Sequence, residues 1–377
     1  MAPPESQHVF VRFSSLGDLV LCTALVAAVR RAHPSAPLHF VTTRAFLPLL
    51  ERFPGGVSPV GLTALERRSF RKSHLFWEAR AVARKLFHQN RHIILYDLHG
   101  VPKSALVILA FRLARWEAGG NARLEVRRTR KHTFARMLSV LLRRDLLGPR
   151  HVFREHLRLA GPELDASHLD ASQPEASHRD APQRNAPQPE TPHLESRETG
   201  LSARRILLAP DAQRWKKRWL VSHWRILIMD LLNAPEGFEL TLVGGERTLP
   251  PDLLSELATQ FPGRVHNRLG STALTDLPDI ARAHALTVCG NSAWLHLTEA
   301  VGRPVVALAG PIVPGFGFSP WRPDSAELSV PNLRCRPCTR HGGGWCSQRG
   351  ERFHACMKFI APSTVLSEVR RRLKGSP

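Results

Sequence analysis

The sequence predicts an α/β protein built from two Rossmann-like, doubly wound domains that face a central cleft. Short apolar segments alternate with amphipathic ones, the alternation runs twice along the chain, and a polar pentapeptide tract separates the two runs. The 377 residues are enough for two domains of ordinary size. A composition of 43% hydrophobic and 23% charged residues can fill two cores, which sets aside a wholly disordered chain or a small disulfide scaffold.

In the first run, an apolar strand over 8–13 leads to a helix over 18–32 with Asp18 at its start. A strand over 37–41, a helix over 45–53, a strand over 91–96 and an apolar helix over 102–113 follow. The second run begins with a strand over 205–209. The next helix has Ser222 as candidate cap and Trp224, Leu227, Ile228 and Leu231 on one face, at i, i+3, i+4 and i+7. Then come a strand over 239–243, helices over 252–261 and 274–283, and a strand over 285–289. A helix over 293–301 closes with Gly302 at C′, before a strand over 304–308.

Between the runs the chain reads LDASH, LDASQ, PEASH, RDAPQ, RNAPQ, PETPH. Such residues bury too little to offset their ordering entropy, so the tract is expected to be a disordered linker. The expected division is an acceptor-side domain over 1–160, the linker over 161–203 and a nucleotide-side domain over 204–377. His168, His178 and His193 in the tract offer metal ligands without the preorganisation that a site requires.

Fifty-three Lys and Arg against thirty-two Asp and Glu leave a net charge of +21, which draws phosphate-rich partners. The cations are scattered and the chain holds one Tyr, so base-stacking recognition of nucleic acid is not expected. The longest largely apolar run, over 19–29, is too short to span a bilayer. The opening residues carry no basic n-region, so a cytoplasmic location is expected.

In doubly wound sheets ligands bind beyond the carboxyl ends of the strands. The first such loop, Ser14-Ser15-Leu16-Gly17-Asp18, is neither a dinucleotide fingerprint nor a P-loop; Asp18 there is either a helix cap or a reacting carboxylate. Gly290-Asn291-Ser292-Ala293 opens a helix and presents backbone N–H groups to an anion, with His296 one turn in. Lys216-Lys217-Arg218 after a strand suits a pyrophosphate, and Glu246 after Gly244-Gly245 could reach ribose hydroxyls. Cys335, Cys338, Cys346 and Cys356, spaced C-x2-C-x7-C-x9-C, are candidate ligands of a structural zinc; packing thiols and a disulfide are the alternatives. Cys22 and Cys289 read as core residues.

The order of these loops resembles family-nine glycosyltransferases, the ADP-heptose:lipopolysaccharide heptosyltransferases. The resemblance rests on VRFSSLGDLVLCTALVAAVRRAHP, DLHG from Asp97 with Lys103-Ser104, KRW at 217–219, LVGGE at 242–246, LHLTEAVGRPVVALAGP at 295–311, and CMKFIAP. It implies a GT-B architecture and an inverting transfer that requires no metal or other cofactor. Asp18 matches the proposed base, Lys217 the residue on the donor phosphate, Glu246 a ribose-side acid, and Asn291, Ser292, Ala293 and His296 the phosphate loop. Ser15, Gly17, Asp97, His99 and Lys103 fall on the acceptor side. The implied partners are an ADP-heptose-like donor, a lipopolysaccharide-core or other anionic glycolipid acceptor, and the cytoplasmic face of the inner membrane, met through basic patches. Asn291-Ser292-Ala293 departs from the family's Asp-Ser/Thr-Gly. A member that binds donor or glycan without turnover is therefore an alternative, and a basic nucleic-acid-binding protein a more distant one.

Overall fold

A computed structural model describes residues 6–66, 72–161, 191–196 and 202–374. The chain divides into two compact units, Met1–Lys131 with Phe153–His193, and His132–Val152 with Leu194–Pro377.

In the first unit the strands are β1 (Gln7–Val11), β2 (Leu38–Thr43), β3 (Ser58–Leu62), β4 (His92–Asp97) and β5 (Arg123–Arg128). All pair in parallel, in the order β3-β2-β1-β4-β5. The crossovers carry α1 (Leu16–Ala32), α2 (Leu47–Leu50), α3 (Lys72–Gln89) and α4 (Pro102–Ala118). β1 is buried along its whole length, as a central parallel strand covered on both faces must be. Val9 and Val11 belong to the core that α3 and α4 close, while the Phe10 ring stacks on Tyr96 at 4.9 Å and on Phe40 at 6.1 Å. The helix expected over 45–53 is the single turn α2 after a 3-10 turn at Arg44–Phe46, with Pro48 in its first turn and Gly55 and Gly56 in positive φ soon after. β5, RLEVRR, was not anticipated: as an edge strand it is only half covered and needs no apolar run.

In the second unit the strands are β6 (Ser202–Ala209), β7 (Glu239–Gly244), β8 (Val265–Leu269), β9 (His284–Gly290), β10 (Val305–Leu308) and β11 (Ala326–Leu328). Their order, β11-β10-β9-β6-β7-β8, is again parallel throughout and is that of a dinucleotide-type doubly wound sheet. Two helices come from the first half of the chain: α5 (Thr133–Leu142) in this unit and α6 (Val152–Leu157), most of which lies in the first. The others are α7 (Val221–Leu232), α8 (Pro251–Gln260), α9 (Leu277–Arg282), α10 (Ala293–Ala300), α11 (Ala355–Lys358) and α12 (Pro362–Lys374). One core joins β6, β7 and β9 to Trp224, Leu227, Ile228 and Leu231 of α7 and Val365 and Val369 of α12, so the predicted apolar face is the buried one. The N-cap of α7 is Leu220 and not Ser222, which lies inside the first turn. Gly302 does hold positive φ, +79°, behind α10.

Residues 132–152 precede the pentapeptide tract yet pack with the second unit. Arg136 donates to the Phe316 carbonyl at 3.0 Å, Asp145 accepts from Gly315 N–H at 2.8 Å, and Val152 N–H reaches the Gly317 carbonyl at 3.1 Å. Most of the tract lies outside the described residues. Its end does not, and there 191–196 is ordered: Leu194 is buried, its N–H bonded to the Ala300 carbonyl at 3.0 Å, and Ser196 donates to Asp279 at 3.0 Å. Two apolar side chains amid polar ones, Pro192 and Leu194, are buried at that end, which the disorder expected through 203 overlooked.

Candidate functional site

In each sheet the strand order reverses once, between β1 and β4 and between β6 and β9. Asp97 ends β4, and Asp18, His99, Lys217 and Asn291 lie on the loops and turns that follow these strands.

In the first unit Asp18 stands in the first turn of α1, three residues after its N-cap, Ser15. One carboxylate oxygen accepts from Ser15 N–H at 3.1 Å and Ser15 Oγ at 2.7 Å, the reciprocal arrangement that closes a helix N-terminus. The other oxygen meets Arg12 Nη2 at 2.7 Å. Burial raises the carboxyl's pKa, but the Arg12 guanidinium and the Ser15 donors outweigh it and hold Asp18 well below the usual carboxylate range. Gly17 is buried in the same turn. Arg12, the one cation in the apolar stretch over 8–13, is itself buried; it donates Nε to the Ser14 carbonyl at 2.8 Å and Nη1 to the Leu98 carbonyl at 2.5 Å. Arg12 was overlooked as a site residue, although a lone arginine within an apolar stretch is a legible signal.

His99 joins this group. Its Nδ1 accepts from Phe13 N–H at 3.2 Å, so the neutral ring carries its proton on Nε2. Burial first, then Arg12 and nearby lysines including Lys103, lower its pKa to about 3. His156 on α6 is buried in the same field, lowered to about 3 by burial and by Arg12. Nothing in its local sequence marked it. Asp97 is placed otherwise than an acceptor contact needs. It has no solvent exposure, and its carboxylate accepts from His99 N–H, Gly100 N–H and Ser104 Oγ and pairs with Arg128 at 2.8 Å. Its work is to shape the loop that presents His99.

In the second unit Lys217 ends a 3-10 turn at Trp215–Lys217, and its Nζ donates to Asn291 Oδ1 at 2.9 Å. Asn291 Nδ2 in turn donates to the Phe318 carbonyl at 2.9 Å. A carboxylate could accept from Lys217 but could not donate to Phe318, so the amide suits this place as an acid would not. Gly290 lets the loops approach: a Cβ there would stand 2.9 Å from the Lys217 carbonyl oxygen. Ser292 holds the N-cap position of α10, extended at φ −132° and ψ −179°, yet its side chain makes no cap bond. Ala293 begins the helix. The His296 ring is buried and stacks on Trp321 at 5.7 Å. Glu299, one turn on, accepts from Trp321 N–H and Arg322 N–H at 3.1 and 2.9 Å, and burial raises its carboxyl pKa to about 7. Glu246 lies apart, exposed and against Gly270, where a Cβ would meet its own at 2.9 Å. Asp211, not foreseen, reaches that loop by accepting from Gly245 N–H at 3.2 Å.

The zinc expectation does not fit the geometry. Among the described residues no three His, Cys, Asp or Glu side chains converge on a metal position, and Cys335, Cys338, Cys346 and Cys356 are free thiols. Cys356 packs in the core beside Met357, and burial pushes its thiol up to about 12. Cys338 Sγ lies 3.9 Å from Lys216 Nζ, which also donates to the Trp345 carbonyl at 2.6 Å, so this segment braces the lysine turn. No helix among the described residues is long and apolar enough to cross a membrane.

Residues 80–343 match the family model of glycosyltransferase family 9 (heptosyltransferase). Over 159 residues the chain is 27% identical to lipopolysaccharide heptosyltransferase 2 of Escherichia coli and 30% identical to that of Salmonella typhimurium. Each match covers 42% of this chain and 43% of the relative, so the chain spans less than half the length of these relatives. The solved structure of E. coli ADP-heptose LPS heptosyltransferase II superposes with a TM-score of 0.65 at 20% identity, covering 98% of both chains. A family 9 glycosyl transferase from Veillonella parvula gives 0.66 at 16%, covering 100% of this chain and 99% of that one. The shared fold is GT-B.

Proposed function

This chain belongs to glycosyltransferase family 9, and on that premise we propose that it transfers a heptose or related sugar from an ADP-sugar to a lipopolysaccharide-core-type acceptor, with inversion. The observation that supports this reading most is the ionised Asp18 carboxylate at the β1–α1 turn, bracketed by Arg12 and Ser15. The acceptor hydroxyl attacks the anomeric carbon, the bond from that carbon to the donor phosphate breaks, and Asp18 takes the hydroxyl proton. Held low by Arg12, Asp18 is a weak base towards a free alcohol. It serves late in the displacement, when the new glycosidic bond has made that proton strongly acidic. The departing diphosphate carries its charge to the Lys217 ammonium and the N-terminal N–H groups of α10. That Lys217 and the α10 entrance are already joined through Asn291 means the two donors act from one place.

Calorimetric titration with ADP and ADP-heptose, beside a turnover assay on a heptose-deficient core glycolipid, tests the reading. Lys217→Ala should weaken ADP binding by roughly ten- to a hundredfold, the worth of a charged hydrogen bond. Wild-type protein that binds neither nucleotide would remove the assignment. Binding without turnover on any core acceptor would favour the non-catalytic reading, for which the Asn291-Ser292-Ala293 departure is the motive.

A further inference from the structure

α5 is amphipathic in the opposite sense to a helix that covers a core. Its polar side is turned to the protein. Ser139 is buried, its hydroxyl donating to the Ala135 carbonyl at 2.8 Å and accepting from Leu146 N–H at 3.3 Å. The Arg136 guanidinium lies over the Phe316 and Phe318 rings at 5.9 and 5.6 Å from their centroids. The apolar side faces outward: Phe134 is 73% and Leu141 75% exposed, with Met137 and Leu142 also exposed and Leu146 just beyond. Positions 134, 137 and 141 are spaced three and four apart, so they form one stripe. Cations attend both ends, Arg130 and Lys131 immediately before and exposed Arg143 and Arg144 immediately after. The nearest acid, Asp145, is engaged by Gly315 N–H.

We propose that α5 is a membrane-docking helix, which lays Phe134, Met137 and Leu141 among the acyl chains of an anionic bilayer while the flanking arginines meet lipid phosphates. A ten-residue helix is too short to span and of a length to lie in the interface. A neutral protein partner would offer no counter-charge to the exposed Arg130, Arg143 and Arg144; an anionic lipid surface supplies it, and the chain's +21 charge favours the approach. The inference deepens the transferase reading, since a glycolipid acceptor would be met at such a surface, but docking does not depend on turnover and is measured without it.

The test is co-sedimentation of the full chain with vesicles of phosphatidylcholine alone or mixed with phosphatidylglycerol. Wild type should pellet with the anionic vesicles and weakly with the neutral ones, more so at low salt. Met137→Glu with Leu141→Glu should lower the partition coefficient by roughly a hundredfold, the worth of two apolar side chains. Arg143→Gln with Arg144→Gln should lower it by roughly thirtyfold on anionic vesicles only. All four side chains are exposed, so thermal midpoints should stay near wild type. Wild type that remains in the supernatant, or a Met137/Leu141 variant that pellets like wild type, overturns the proposal. So does a lipid-free dimer that this variant dissolves, for then a second copy covers the stripe.

Discussion

At the scale of single residues, Asp18 closes a helix and carries the base assignment with the same carboxylate. Ser15 and Arg12 hold it ionised, and the sign of the linkage follows. Its folded pKa lies below the unfolded one, so the stability it contributes is complete above the unfolded value, near 4, and is lost as pH falls through the folded value. The rate should correspondingly show no acid limb from Asp18 between about pH 5 and 8 in kcat/KM. Asp18→Asn preserves much of the cap, so donor affinity and thermal midpoint should change little while turnover falls by about 10²–10⁴. A variant that turns over normally on a confirmed substrate would leave Asp18 as a cap alone. Asp18 was legible because a strand ends and a helix begins around it. Arg12, His99 and His156 become its neighbours only when β1, the loop after β4, and α6 are folded together.

At the scale of elements, α10 and the loop behind it form a braced unit. Glu299 receives the Trp321 and Arg322 N–H groups, which sets the Trp321 ring against His296. Burial raises the Glu299 carboxyl from 4.5 to about 7. Here the sign is reversed: the stability it contributes is complete below the unfolded value and is lost as pH rises through about 7, up to roughly 3 kcal/mol for a shift of that size. The thermal midpoint should therefore decline between pH 5 and 8 in wild type and stay flatter in Glu299→Gln. Equal slopes in the two proteins would show that the carboxyl does not titrate there. Periodicity read the core-facing elements well, as with α7 and β1, because burial imposes a period on the side chains that meet a core. It passed over the core-facing helices α3 and α12, whose apolar positions are diluted by charged ones, and the edge strands β3, β5, β8 and β11, paired on one side only.

At the scale of the molecule, the polar tract separates the two runs of the sequence, and its described end, 191–196, is tied down by buried Leu194. Replacing residues 165–190 with a short Gly/Ser segment should leave turnover within about threefold of wild type, since closure entropy changes slowly with loop length. Retaining Leu194 is a condition of that result, because its side chain is buried in the second unit; a collapse of turnover in a folded deletion would instead give the tract a part in the site. The sequence by itself determined the two parallel sheets, the positions of the loops that leave their central strands and the membership of the family. All of these depend on local periodicity, turn residues and short motifs, which a chain carries along its length. Tertiary structure alone decided three other things: that 132–152 packs with the second unit, that Asp97 is spent on its own loop, and that four closely spaced cysteines do not converge as ligands. Each depends on which side chains meet across long stretches of chain, a quantity set by packing and burial rather than by spacing.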